Sequence, residues 1–498
     1  MQAAAPIAIT QPAEHRKSWF SPAVYLAVSL TVLTPCFWQK RIQAGDLSSH
    51  VYNAWLAGLI GQGKASGLIL VPQTCNVLFD LMLRGLMRAF GPGPAQRIAV
   101  STAVLVFFWG AFALVWALSR RSAREPPWSW TPCIAMLAYG WVFHMGLFNF
   151  YLSLGLTFWV LALALRRGRG RMLAAILLVP AYVAHPVPVV WGIGVLVYLR
   201  IARAIAPRYR PVLAGACLAA LAASGLLMKA LFQARWDSGP KLAFTGADQV
   251  WVYGARYLPL ALALLLIWIF WFQAVLARRG TRRTILDVRL HLAILNAAGI
   301  LLLPSVIVLP ASGQAESLLI GRMSLAGAVL YCALAATARQ RRWLSAGMAA
   351  VGAVFFIFVY QDAAALNRIE DRMEQALAHL PPGQRVVSAL MDTDLREFAL
   401  LHVIDRACVG RCFSYANYEP SVGQFRVRAV RPNGIVIANF RDSWAMQAGG
   451  YVVKPRDLPL YRVDLCGPAP QQLCAAPVAA GITLQCRWLH VTPDLWKQ

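Results

Sequence analysis

"YLSLGLTFWVLALALRRGRGR", residues 151–171, sets a long uncharged run against four arginines in the next six residues. A segment apolar on every face has no solvated side, and arginines placed directly after it mark the point where a helix leaves lipid for the cytoplasm. The same pattern recurs along the chain. A membrane-spanning helix needs about 20 predominantly apolar residues. Candidates run near 20–38, 97–118, 131–147, 149–165, 172–186, 187–205, 211–231, 256–277, 289–309, 322–338 and 344–361. The expected fold is therefore an α-helical polytopic membrane protein with about eleven transmembrane helices. The first run is longer than a signal-peptide core and lacks a small-residue cleavage site, so it is expected to be retained.

Composition agrees. Only 14% of the 498 residues are charged and 59% are hydrophobic, where soluble proteins carry roughly 25% charged residues. The net charge of +26 comes from basic residues that punctuate apolar runs, which reads as topology signal and lipid-headgroup contact. A nucleic-acid binder clusters them on a folded domain, so no nucleic-acid partner is expected. "HRK" precedes the first span, and "RRSARE", "RRGRGR", "RIARAIAPRYR", "RRGTRR" and "RQRR" follow spans two, four, six, eight and ten. The odd exits at 144–150, 185–188 and 310–321 hold no Lys or Arg ahead of Arg322. Arg greatly outnumbers Lys, as a GC-rich bacterial genome favours. The expected location is a bacterial inner membrane, with the N-terminus cytoplasmic and the odd exits outside.

An eleven-span count puts residues 362–498 outside as well, after a transmembrane domain of 1–361. "DAAALNRIEDRMEQALAHLPPG" reads as an amphipathic helix ended by Pro-Pro-Gly. "QRVVSALM", "GQFRVRAV" and "NGIVIANF" read as strands, together giving a small α/β or α+β domain. Cys408, Cys412, Cys466, Cys474 and Cys486 crowd this region, and disulfides are expected outside the cytoplasm. Five is odd, so one thiol stays free or pairs elsewhere, for example with Cys75. Cys-x3-Cys is not a usual zinc spacing. Cys36, Cys133, Cys217 and Cys332 fall within spans and act as small apolar residues.

The first outer loop, about 38–96, is not polar filler. Val51, Trp55, Leu56, Leu59 and Ile60 recur on one helical face behind Ser48 or Ser49 as N-cap. Leu78, Leu81, Met82, Leu86 and Phe90 form a second such face. Both stretches read as interfacial helices, or as packing against the ends of spans. Asp80 has Arg84 four residues on as a partner. Asp46, in "GDLSSH", has no local cation, and is either a helix-end charge or a catalytic base. His50, His144, Asn149, His185 and Glu316 are the other polar residues expected to converge on the outer side. Arg322 stands at the mouth of span ten, where a charge is costly without a partner; it either binds phosphate or snorkels to headgroups. Arg235, Lys241 and Arg256, with Asp237, Asp248, Trp236, Trp251 and Tyr253, flank a further outer loop. Tyr415, Tyr418, Glu419 and Gln424 either bind an acceptor glycan or peptide or, with Pro420 and Gly423, form an ordered turn stapled by Cys408 and Cys412.

An acid just after the first span, two interfacial helices, about eleven spans and an outer C-terminal domain together resemble the GT-C superfamily of polytopic glycosyltransferases. The protein mannosyltransferase and aminoarabinose transferase kinds are the nearest in pattern. The resemblance implies transfer of a sugar from a polyprenyl-phosphate-type lipid donor to a glycan, lipid or protein acceptor. It implies that Asp46 activates that acceptor or binds a divalent metal. Many members carry an acidic pair here, whereas this chain has one Asp followed by Leu47. Two readings from other classes stay open, a transporter or flippase and a non-catalytic envelope-assembly protein. Transporters usually show paired repeats and broken midplane helices, and no repeat is visible in this chain.

Overall fold

The computed structural model describes residues 21–119, 126–166, 168–236, 242–308, 315–338, 341–392, 395–396, 399–430, 433–467, 472–489 and 491. Asp237, Lys241, the "RRSARE" loop and the first part of the 310–321 loop lie outside them. The chain begins with α1 (Pro22–Leu33), α2 (Leu47–Gly61), β1 (Leu68–Leu70), α3 (Leu78–Phe90) and α4 (Pro92–Ser119). Then come α5 (Thr131–Ala138), α6 (Trp141–His144), α7 (Phe148–Ala164), α8 (Arg169–Ala184), α9 (Pro186–Ala204) and α10 (Arg210–Leu231). After β2 (Gln233–Arg235) follow α11 (Leu258–Arg279), α12 (Thr281–Ile285), α13 (Val288–Leu302), β3 (Val306–Val308), β4 (Ala315–Glu316), α14 (Leu319–Ala335) and α15 (Arg342–Ala378).

Five helical stretches are long and apolar enough to cross a membrane: Pro92–Ser119, Pro186–Ala204, Pro207–Leu231, Ala255–Arg279 and Arg342–Ala378. Shorter apolar helices occupy Pro22–Cys36, Phe148–Ala164, Val288–Leu302 and Leu319–Ala335. The protein is thus a helical membrane protein by the length and composition of its helices. Only 6% of the apolar window in Pro207–Leu231 is buried, against 61% in α4, so α10 presents its surface outward while α4 sits inside the bundle. Such an exposed apolar helix is stable only against lipid. Close backbone approach builds the interior. A Cβ at Gly155 of α7 would lie 2.7 Å from the Phe107 Cα of α4, the small-residue packing expected where helices meet without water.

The 131–147 segment is not one helix. It breaks at Tyr139–Gly140, because the 247–250 turn presses on the backbone there: a Cβ at Gly140 would lie 3.0 Å from the Gln249 carbonyl oxygen. Gln249 Oε1 accepts from the Val142 N–H at 3.3 Å, which replaces the helical bond that the break removes. Segment 172–186 forms α8, with Pro180 inside it.

The rest of the chain supplies β5 (Arg385–Ser388), β6 (Leu390–Asp392), α16 (Val403–Ala407), β7 (Phe413–Ser414), α17 (Tyr418–Val422), β8 (Val427–Ala429), α18 (Phe440–Ala448), β9 (Tyr461–Leu465), β10 (Leu473–Pro477) and β11 (Arg487–Leu489). A four-stranded sheet runs β10-β9-β5-β7, with β9 and β7 parallel to β5 and β10 antiparallel to β9. Val387, Tyr415, Met446, Tyr451 and Leu484 form a separate core beside it. Two cysteine pairs lie at disulfide distance, Cys408–Cys412 and Cys466–Cys474, with Cα separations of 4.6 and 5.8 Å. Cys486 and Cys75 are free.

This region is bound into the helical bundle. Helix α15 continues through the composition change at residue 361. Strand β1 of the first loop pairs antiparallel with β8, Leu68 opposite Ala429 and Leu70 opposite Val427. Buried Arg406 grips Glu370 of α15 through both carboxylate oxygens, at 2.7 and 2.6 Å, and donates to the Ile42 carbonyl at 2.8 Å. Asn367 holds the Arg41 backbone from both sides, accepting from its N–H at 2.9 Å and donating to its carbonyl at 3.0 Å. Residues 41–43 are therefore clamped immediately ahead of Asp46.

Candidate functional site

Asp46 stands at the entrance to α2, on a turn set by the 144–146 backbone. The Gly45 N–H donates to the His144 carbonyl at 2.7 Å, and the Asp46 N–H to the Met145 carbonyl at 3.1 Å. Asp46 occupies the N-cap position in helical backbone geometry, so its carboxylate makes no cap hydrogen bond. Neither Ser48 nor Ser49 is the cap; both lie inside α2. The Asp46 side chain is 29% exposed, while its neighbour His402 is 6% exposed. The absence of a local partner is met from far away: Asp46 Oδ1 lies 3.6 Å from His402 Nε2.

His402 comes from the turn ahead of α16. Its Nδ1 lies 3.3 Å from Asp405 Oδ2, and the Ser414 hydroxyl donates to Asp405 Oδ1 at 2.5 Å. The Tyr418 ring covers His402 at 5.0 Å between centroids. Burial opposes charge on His402, but Asp405 first, then Asp46 and Glu419, outweigh it and raise its pKa. His402 thus stands between Asp405 and Asp46, whose negative field favours its protonated form.

One turn along α2, His50 Nδ1 donates to Asp80 Oδ1 at 2.7 Å. Asn149 donates to Asp80 Oδ2 at 2.8 Å and accepts from the Phe79 N–H at 2.8 Å, fixing the start of α3. Asp80 therefore pairs with His50 and Asn149 and not with Arg84, because the carboxylate points toward α2 and away from the next turn of its own helix. Burial alone would lower the His50 pKa, yet Asp80, with Glu419 and Asp46 behind it, raises it to about 9. Burial likewise tends to raise Asp80, but His50, Asn149 and Arg426 hold it below the usual carboxylate range. Glu419 accepts from the Ser49 hydroxyl at 3.3 Å. Its burial, opposed by His50 and reinforced by Asp80, Asp46 and Asp405, pushes it up to about 8. Glu419 is therefore a neutral acid near pH 7.

Arg322, on α14, is 12% exposed and reaches Glu316 Oε2 at 3.6 Å. Its Nη1 lies 3.3 Å from His185 Nε2, and Asp46 also acts on it electrostatically. Arg322 Nε is buried without a hydrogen-bond partner among the described residues. Glu316 is held below its usual range, against burial, by His185 and Arg322. His185 also caps α9, its Nδ1 accepting from the Val187 N–H at 3.2 Å.

His144 faces the other way. Its Nδ1 meets the Tyr253 hydroxyl at 2.7 Å and the Gln43 carbonyl at 3.2 Å, so it supports the turn below Asp46. Arg256 is engaged with Asp362 at 2.6 Å, Asp248 with Arg396 at 3.3 Å, and Tyr415 with Asp457 at 2.9 Å. The fold thus brings together Asp46, His50, Glu316, Arg322, His185 and Glu419, and adds His402, Asp405 and Asp80. Among the described residues no group of three or more His, Cys, Asp or Glu side chains is placed to hold a metal ion. The divalent metal that the GT-C resemblance allows finds no ligand set among the described residues.

No protein family matches the chain, and no curated protein or solved structure is found to be similar to it.

Proposed function

We propose that the chain is a membrane glycosyltransferase of the GT-C kind, with its site on the outer face of a bacterial inner membrane and its N-terminus in the cytoplasm. The arginine-rich even exits support that orientation. Two cysteine pairs at disulfide distance in the C-terminal region support an oxidising compartment. The donor is a sugar on a polyprenyl-phosphate-type lipid, and the acceptor is a glycan, lipid or protein hydroxyl.

The observation that carries the reading is the state of Asp46. It is a partly open side chain with no hydrogen bond of its own among the described residues, beside the buried His402 ring and within the field of Arg322. In the reaction, the acceptor hydroxyl gives its proton to Asp46, and its oxygen attacks the anomeric carbon. The bond from that carbon to the lipid phosphate breaks, and the electron pair leaves on the phosphate oxygen. Arg322 stabilises this developing charge, as a planar guanidinium suits phosphate. His402 touches Asp46 and not the substrate; it is a positioning residue that keeps the base aimed.

The donor for the test is the lipid-linked sugar that accumulates in a deletion strain, identified by mass spectrometry and added back to purified protein. Asp46→Asn keeps size but removes the base and the charge. Transfer should fall by about 100- to 10,000-fold at unchanged membrane abundance. His402→Gln should lower transfer less and shift its pH profile. A well-folded Asp46→Asn protein with near-normal transfer would return Asp46 to the role of a helix-end charge.

A further inference from the structure

Helix α3 turns two arginines, Arg84 and Arg88, to neighbouring turns of one face, the i,i+4 spacing at which like charges repel. A third, Arg426, arrives from the residue ahead of β8, whose carbonyl accepts from the Val71 N–H at 2.8 Å. Arg84 feels both others: burial first, then Arg88 and Arg426, lower its pKa. None of the three has an ion pair among the described residues. Asp80 is the carboxylate on which Arg426 acts, and its oxygens are already taken by His50 and Asn149. Arg84 Nε and Arg426 Nη1 are buried without a hydrogen-bond partner among the described residues. Orphaned donors of this kind cost on the order of 1–3 kcal/mol each unless an acceptor is supplied.

The surroundings indicate what kind of acceptor. A cavity of about 20 Å³ lies against Arg426, lined also by Gln73, Asn76 and Asp80. It has room for a water and not for a phosphate, so a larger anion would have to bind outside it. Leu81 and Phe90 of the same helix stay exposed, at 44% and 58%. Apolar residues standing bare beside arginines are the pattern of a helix lying among lipid headgroups.

We propose that Arg84, Arg88 and Arg426 together form a binding site for a phosphate-class anion where the first loop meets the C-terminal region. The shared chemistry is a phosphate oxygen set accepting from convergent guanidiniums. Two sources supply it, the headgroup of an anionic phospholipid or a soluble phosphate. The site adjoins the Asp46 cluster through Asp80 and Glu419, and it stands whether or not the chain transfers sugar.

The test uses the full chain in neutral detergent micelles, with thermal unfolding followed against three probes. These are short-chain phosphatidylglycerol, short-chain phosphatidylcholine and inorganic phosphate. Phosphatidylglycerol should raise the unfolding temperature saturably, and phosphatidylcholine should not. In Arg84→Gln/Arg426→Gln the half-saturating concentration should rise at least about tenfold, one factor of ten being roughly 1.4 kcal/mol. Arg282 and Arg283 are exposed on α12, so Arg282→Gln/Arg283→Gln should respond as the parent does. A matching response to inorganic phosphate, lost in the same variant, identifies the soluble source; its absence identifies the headgroup. Without ligand, the variant should unfold close to the parent, since the repulsion removed from Arg84 offsets the lost attraction between Arg426 and Asp80. Stabilisation that is equal in parent and variant, or no stabilisation by either anion, overturns the proposal. So does a variant that is markedly weaker without ligand, which would make the arginines structural supports. Arg88→Gln, at an exposed position, should weaken the anion response on its own without that burden.

Discussion

Gly146 sets the position of the proposed base. Its φ is +80°, and a Cβ placed there would collide with the Asp46 backbone nitrogen and lie 2.8 Å from that of Leu47. Gly63 offers a control, with a φ of +71° and nothing within 4 Å of its Cβ position. Alanine at either site incurs the left-handed strain of about 1–2 kcal/mol, but only Gly146→Ala also pushes the α2 entrance off the 144–146 turn. Gly63→Ala should lower the unfolding temperature slightly and leave lipid-linked sugar transfer unchanged. Gly146→Ala should lower both, with transfer reduced at least about tenfold; equal transfer in the two variants would separate Asp46 from that turn. Asp46 itself was legible in sequence, because an acid directly after an apolar run has a physical cost that asks for a reason. His402 and Asp405 were not, since they lie more than 350 residues away and no short-range pattern announces them. Asp80 was misread for a related reason. The i,i+4 rule offers Arg84, and His50, thirty residues earlier, wins by meeting the carboxylate at 2.7 Å.

Among the elements, apolar runs and arginine exits located most helices within a few residues, because lipid leaves the backbone no alternative to internal hydrogen bonding. Two boundaries escaped that logic. The break at Tyr139–Gly140 is imposed by Gln249 from another part of the chain. The change of composition at residue 361 marks where α15 becomes polar and not where it ends. Its continuation, rich in Ala, Glu, Arg and Leu, consists of strong helix formers, so the helix carries Asn367 and Glu370 to clamp the residues ahead of Asp46. Packing between elements was likewise silent in sequence, and α4 against α7 is the clearest case. A Cβ at Gly155 meets the Phe107 Cα at 2.7 Å and its nitrogen at 2.8 Å, both backbone atoms that no rotamer change can move. Gly155→Ala should cost about 1–3 kcal/mol, the usual penalty of overpacking. Gly194→Ala on α9, with nothing within 4 Å, should be neutral or gain about 0.5–1 kcal/mol of helix propensity. Thermal unfolding of both variants in the same detergent checks the pair, and equal behaviour would refute the close crossing.

Across the whole molecule, the C-terminal region meets the first loop over a set of ionisable groups, which ties its seating to pH. Glu419 faces His50, Asp80, Asp46 and Asp405. Its pKa of about 8 in the fold stands above the 4.5 of an ordinary glutamate. His50, at about 9, stands above 6.5. In both cases the folded state holds a proton that the unfolded chain has lost, so stability falls as pH rises across each interval. The Glu419 contribution is full below about pH 4.5 and gone above about 8, and the His50 contribution is lost from about 6.5 to 9. The two windows overlap between about pH 6.5 and 8, where the decline should be steepest. Asp80, held low, acts in the opposite sense and withdraws its support only as pH falls below the ordinary carboxylate value of 3.8. Stability should therefore peak in mildly acid solution, near pH 4–6, despite a net charge of +26 that acidification does nothing to relieve. Thermal unfolding of the full chain from pH 5 to 9.5 should show this decline. Glu419→Gln, which keeps the neutral form at every pH, should remove its lower part and leave the part above pH 8 that belongs to His50. His50→Gln frees Asp80 of its partner, so it should start less stable at pH 5 and lose the upper part instead. Parallel curves for the parent and Glu419→Gln would show that the junction does not hold a proton on Glu419, and the acid beside Ser49 would then be an ordinary charged carboxylate.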